Sequence, residues 1–148
     1  MLEFINIQKT ETGYLLDPSA YLEKLPEILS HLPVGARRFA SDPEHYDFYR
    51  EHCVKDLRPY LISAEERSKE LSLHILLHWN DFSQEVLRVC YQGVTGFEMT
   101  GQLDQLGPVQ LDEILPAATG CVHTIQLIGG HIRITCTDLV ASWENRQS

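Results

Sequence analysis

Beyond residue 70 the chain alternates apolar and polar positions with a period of two. Leu71, Leu73, Ile75, Leu77 and Trp79 interleave with Ser72, His74, Leu76, His78 and Asn80, which predicts a strand with a mostly polar second face. Asn80-Asp81 supplies turn chemistry. Glu85–Tyr91 is the next predicted strand, and Gly93 and Gly96 flank a bend before Phe97–Met99. Val109–Leu111 reads as a short strand and Asp112–Leu115 as a turn of helix closed by Pro116. The run CVHTIQLI, then Gly129-Gly130, then HIRITCTD predicts a hairpin, because both turn positions of a two-residue loop want positive φ. That turn sets Ile128 opposite His131, Leu127 opposite Ile132, Ile125 opposite Ile134 and His123 opposite Cys136. Leu127, Ile132, Ile125 and Ile134 then share one face, with Gln126, Arg133, Thr124 and Thr135 on the other. A slip of one residue would move every apolar side chain into water. Leu139–Trp143 fits a strand or a terminal helix.

The first half carries a different pattern. Leu2–Ile7 reads as a short strand. Asp17 and Pro18 then open a helix as cap and first-turn residue. Tyr21, Leu22, Leu25, Ile28, Leu29 and Leu32 recur at helical spacing, with Pro26 as a kink or division and Pro33 and Gly35 as the end. Ser41-Asp42-Pro43 predicts a second helix running through Tyr46, Phe48, Tyr49 and Cys53. Ser63 and Glu66 stand at capping-box spacing. The expected fold class is therefore α+β: short N-terminal helices packed on a mainly antiparallel β-sheet with a Gly-Gly hairpin near the C-terminus. At 148 residues a single domain is expected, mainly helical over 1–70 and mainly sheet over 71–148.

Composition narrows the function classes. No run approaches the roughly 18 apolar residues that span a bilayer, and the N-terminus MLEFINIQKTETG lacks a signal-peptide pattern. A cytoplasmic, bacterial protein is expected. Net charge is −9. Residues 1–70 hold nine Lys/Arg against thirteen Asp/Glu, and residues 71–148 hold only Arg88, Arg133 and Arg146 against eight acids. Nucleic acids need cations facing phosphates, so a basic protein partner, or none, fits better than a nucleic acid. Cys53, Cys90, Cys121 and Cys136 form no C-x-x-C pair and read as free thiols, with Cys121 and Cys136 diagonal on one hairpin face.

The candidate sites follow from residue type and spacing. His74 and His78 lie about 13 Å apart on a strand, too far to share an ion. The densest ligand-capable cluster is His45, His52 and Cys53 with Asp42, Asp47 and Glu51 near, which supports the alternative of a small metal-dependent hydrolase using His45, His52 and Asp42. His123 and Cys136, as cross-strand neighbours, have the residue types of a base and nucleophile but read as core packing. Gly93–Gly96 matches no phosphate loop, so no cofactor is expected. A second alternative is a small-ligand pocket lined by Tyr46, Tyr49, Trp79 and Phe97.

From Leu77 to Trp143 the chain resembles the C-terminal part of small uncharacterised bacterial proteins. The resembling stretches are LHWNDF, EVLRVCYQGVTGFEM, VQLDEILPAATGCVHTIQLIGG and HIRITCTDL. Proteins of this style include ones taken as immunity partners of bacterial toxins. The resemblance implies a non-catalytic, protein-binding role and carries over no functional residue. On the residues themselves, the partner is expected on the wet sheet face (His74, His78, Arg88, Gln126 and Arg133) or on an acidic loop holding Asp104, Asp112 and Glu113.

Overall fold

Most of the described residues pair as antiparallel strands, and among them two short helices interrupt the strands. The structure, a computed structural model, describes residues 2–146. Its elements run β1 (Asn6–Thr10), β2 (Gly13–Asp17), α1 (Ser19–Leu29), α2 (Val34–Ala40), β3 (Arg58–Arg67), β4 (Glu70–His78), β5 (Glu85–Gln92), β6 (Gly96–Thr100), β7 (Val109–Ala117), β8 (Gly120–Leu127), β9 (Gly130–Cys136) and β10 (Asp138–Asn145). A 3-10 turn at Leu103–Gln105 precedes β7. One four-stranded sheet has the order β10-β5-β4-β3 and a second the order β6-β9-β8-β7, while β1 and β2 form a separate hairpin.

The two sheets share a corner. β5 and β10 pair up to Gln92↔Asp138, and their continuations β6 and β9 pair from Gly96↔Thr135. Across the bend, the N–H of Thr95 donates to the Thr135 carbonyl at 2.9 Å and that of Thr137 to the Gln92 carbonyl at 2.9 Å. Strands that change sheet need such a bend, and Gly93 supplies it at φ +60, where a Cβ would meet Thr137 Oγ1 at 2.2 Å. At the opposite side the Asp56 N–H reaches the Val109 carbonyl at 2.8 Å and the Val109 N–H reaches the Leu57 carbonyl at 2.7 Å, which ties the approach to β3 to the start of β7. The core between the sheets includes Ile75, Leu87, Ile114, Ile125, Ile132 and Ile134, and Tyr21, Leu32 and Ala36 of the helical part complete it. Asp138 caps α2, accepting from the Gly35 and Ala36 N–H groups at 3.0 and 2.9 Å, and so seats that helix on β10.

Several expectations are corrected here. The β8–β9 loop is Ile128–Gly129, with Leu127↔Gly130, Ile125↔Ile132, His123↔Ile134 and Cys121↔Cys136 as pairs. Neither glycine of the loop region has positive φ. Their role is close approach: a Cβ on Gly129 would lie 2.2 Å from the Gln105 carbonyl oxygen, and one on Gly130 2.0 Å from that of Thr100. The register differs from the expected one by two residues, so the apolar face is unchanged and Cys121 and Cys136 become direct neighbours, with Sγ atoms 3.7 Å apart.

The predicted helix over Ser41–Cys53 is a chain of turns. Asp42 accepts from the Glu44 N–H at 2.9 Å and Asp47 from the Tyr49 N–H at 3.1 Å, so side chains satisfy the backbone in place of a helix ladder. Ser63–Arg67 lies in β3, closed onto β4 by Ser68 and Lys69, both at positive φ; long-range pairing overrides the capping signal. Asp112–Leu115 is mid-strand in β7, an edge strand where Pro116 is tolerated. Pro26 does not divide α1: it and Leu22 are on the exposed side of the helix, where the carbonyl left without its N–H partner is not shut in the core. Thus β1, β2 and β3 all precede residue 70, where the sequence predicts one short strand, Leu2–Ile7, and otherwise helices; the strand there is β1 at Asn6–Thr10.

Candidate functional site

Two histidines and an aspartate from separate parts of the chain meet in the interior. His45 Nε2 lies 2.8 Å from both carboxylate oxygens of Asp112, and His123 Nε2 lies 2.7 Å from Asp112 Oδ2. His45 Nδ1 faces the Phe39 carbonyl at 2.8 Å. A carbonyl and a carboxylate only accept, so both ring nitrogens of His45 carry hydrogen and the ring is an imidazolium. It is flanked by Phe39 and Tyr46, each with ring centroids at 4.1 Å, and an aromatic face suits a cation. His123 donates from Nε2 and turns Nδ1 to the Tyr91 hydroxyl at 2.7 Å. The Tyr46 hydroxyl donates to the Asp112 carbonyl at 2.9 Å.

Electrostatics follow from this packing. Burial pushes Asp112 upward, but the His45 charge and hydrogen bonds from both histidines outweigh it and hold the carboxyl below its usual range. Burial pushes His45 downward, and Asp112 and the Phe39 carbonyl more than offset it. Beside them Glu113 accepts from the N–H groups of Glu3, Phe4 and Ile5 at 2.7–3.0 Å. The three side chains of the His–Asp–His set are at most 2% exposed. Through these contacts the set fastens distant segments of the chain together.

What it fastens is the 17-residue stretch 41–57, which has no helix or strand. A loop of that length inside a folded unit is uncommon and usually functional. Three residues past the His45 anchor the stretch turns outward, leaving Phe48 40% and Tyr49 98% exposed. It then returns at His52, whose Nε2 lies 3.2 Å from Glu85 and whose ring stacks on Trp143 at 4.4 Å. Glu85 opens β5 directly after the turn that carries Trp79 and Phe82, which are 47% and 91% exposed. Arg146 fixes that turn through the carbonyls of Ser83 and Asn80 and through His78. The contact between His52 and Glu85 therefore sets two aromatic-bearing loops side by side. Over residues 44–52 and 79–85 they hold Glu44, Asp47, Glu51, Asp81 and Glu85 against a single cation, Arg50.

The residues singled out from sequence do not form one surface. His74 and Arg88 share the open face of the first sheet, 3.5 Å apart, with Arg88 also bonded to Glu144 at 2.9 Å. Arg133 lies on the outer face of the second sheet opposite Glu98 and Thr124. His78 is not open to a partner: it is buried against Tyr60, centroids 4.0 Å apart. Asp104 is exposed in the 3-10 turn, but Asp112 and Glu113 belong to no acidic loop and are closed to a partner. The metal alternative loses its first ligand, since both ring nitrogens of His45 are engaged, and His52 turns to Glu85. Among the described residues no three His, Cys, Asp or Glu side chains are arranged to hold a metal ion. Cys90 lies 3.7 Å from His74, and burial raises its thiol. Tyr46 packs on His45 in the interior while Tyr49 stands in solvent, so the aromatic pocket proposed from sequence is not formed.

Sequence reasoning found His45, Asp112 and His123 singly but not together, because 67 and 11 residues separate the partners and no local spacing marks them. Asn80-Asp81 reads as turn chemistry, and nothing local marks Phe82 as exposed. No helix among the described residues is long and apolar enough to cross a membrane. No family model, curated protein or solved structure matches the chain.

Proposed function

We propose that the chain is a non-catalytic binding protein, of the immunity or accessory kind, that docks a basic protein partner through the loops around Tyr49 and Phe82. The observation that carries this reading is the near-complete exposure of those two rings on adjoining loops. Aromatic anchors dominate binding energy at protein interfaces. Exposed aromatics set together mark interaction sites more than isolated ones do. The five carboxylates around them would steer a cationic surface and disfavour an acidic one. The buried His45–Asp112 pair supports the reading from within, because it holds the aromatic loop at a fixed distance from the fold and lowers the ordering cost of docking.

Photo-crosslinking in the source cells tests the proposal. A benzophenone amino acid at position 82 or 49 is expected to capture one basic protein, and the same group at Phe97, an exposed aromatic on β6, is expected not to. Equal capture from all three positions, or from none, would refute the proposed surface.

A further inference from the structure

We infer that the cleft between the β1–β2 hairpin and the β7–β8 corner is a binding site for a small aliphatic carboxylate. The cleft has a volume of about 430 Å³, within the range of small-molecule sites. Ile5, Ile7 and Ile128 give it apolar walls, and Lys9 is the one charged side chain among its described lining residues. In a chain of net charge −9, a hollow lined by a cation and no carboxylate selects an anion.

Gln110 supplies the second observation. It also lines the cleft and is only 6% exposed, yet its amide nitrogen is buried with no hydrogen-bond partner. A buried polar atom left unpaired is uncommon and costs stability unless something meets it. Gln110 is the extra residue of a bulge: Val109 pairs with Leu127 and Leu111 with Gln126, which leaves position 110 unpaired on β8. Bulges re-aim a side chain, and they recur beside functional sites. The neighbouring Gln126 amide is already used on the Leu127 and Gly130 carbonyls at 3.2 Å. The terminal torsion of glutamine is broad, so the Gln110 amide can turn its donor into the cleft. A carboxylate there takes the Gln110 N–H and faces Lys9, while its chain lies along the isoleucines. Glu113, beneath the N-terminal residues, offers no competing site, since three backbone N–H groups close it.

Calorimetric titration of the full chain with hexanoate, hexanamide and hexylammonium tests this. Hexanoate is expected to bind saturably and hexylammonium not at all. Gln110→Leu is expected to weaken hexanoate about tenfold while melting at or above the wild-type temperature, because the unpaired donor is gone. A purely structural glutamine would instead lower the melting temperature and leave binding alone. Lys9→Met is expected to reduce the preference for hexanoate over hexanamide about threefold. Ile7→Trp fills the cleft from its other wall and decides the matter should Gln110→Leu fail to fold. Absent hexanoate binding, equal binding of hexylammonium, or full affinity in either cleft variant would overturn the assignment.

Discussion

Asp112 is the residue on which most of the interior polar chemistry converges. Its carboxylate balances the His45 imidazolium and also accepts from His123. Removing one partner of a buried pair leaves the other charge dry and uncompensated, at a cost of about 3–5 kcal/mol. Asp112→Asn is therefore expected to lose stability on that order, measured by urea unfolding at neutral pH. The pH dependence has a definite sign. Burial lowers His45, yet Asp112 holds it above the ordinary histidine range. Its contribution is complete below the unfolded value and disappears as pH rises through the folded one. Burial raises Asp112, yet His45 and His123 hold it below the ordinary carboxylate range. That contribution is complete above about pH 4 and disappears only in stronger acid. Wild-type stability should decline on the alkaline side of His45, and Asp112→Asn should lack that decline. An identical alkaline slope in both proteins would contradict the pairing.

At the level of elements, the β8–β9 loop is shaped by what packs on it. Gly130 faces the Thr100 carbonyl so closely that an added Cβ would sit 2.0 Å from it, whereas a Cβ on Gly107 would meet only Ile128 at 4.0 Å. Gly107→Ala strains a positive φ alone, at about 1 kcal/mol. Gly130→Ala meets no such strain in φ but must part β9 from β6, and is expected to cost roughly twice as much or more; thermal unfolding of the two variants gives the comparison. The same loop shows what can be read locally. The sequence yields β4 and β5 because alternating Leu, Ile and Val positions declare a one-sided strand. The hairpin face is readable although the register is not, because a shift of two keeps side-chain parity. Beyond its first three residues, Val109–Leu111, β7 is illegible for a physical reason. Six consecutive positions, Val109–Ile114, are buried on both faces, so no period-two signal exists and an aspartate and a glutamate interrupt the apolar run. Asp42 and Asp47 do bond backbone N–H groups, but turns use the same chemistry as helix starts, and only the distant Asp112 decides between them.

Across the whole molecule, stability and the proposed docking surface fall on different residues. The core and the His45–Asp112 pair are dry, whereas Tyr49 and Phe82 contribute almost nothing to the fold because they are almost fully exposed. Tyr49→Ser with Phe82→Ser is expected to change unfolding free energy by no more than about 0.5 kcal/mol, and to abolish capture of the partner. Charge acts at longer range than either ring. With five carboxylates on the two loops and a net charge of −9, encounter with a cationic surface is accelerated at low ionic strength and screened once the Debye length falls to about 3 Å near 1 M salt. The association rate should therefore drop steeply with salt while the dissociation rate, governed by the buried aromatic contacts, changes little. Asp47→Asn with Asp81→Asn should reduce the salt dependence of association and leave dissociation near its wild-type value. Stopped-flow traces showing the reverse, a salt-independent association and a salt-sensitive dissociation, would place the partner elsewhere on the surface.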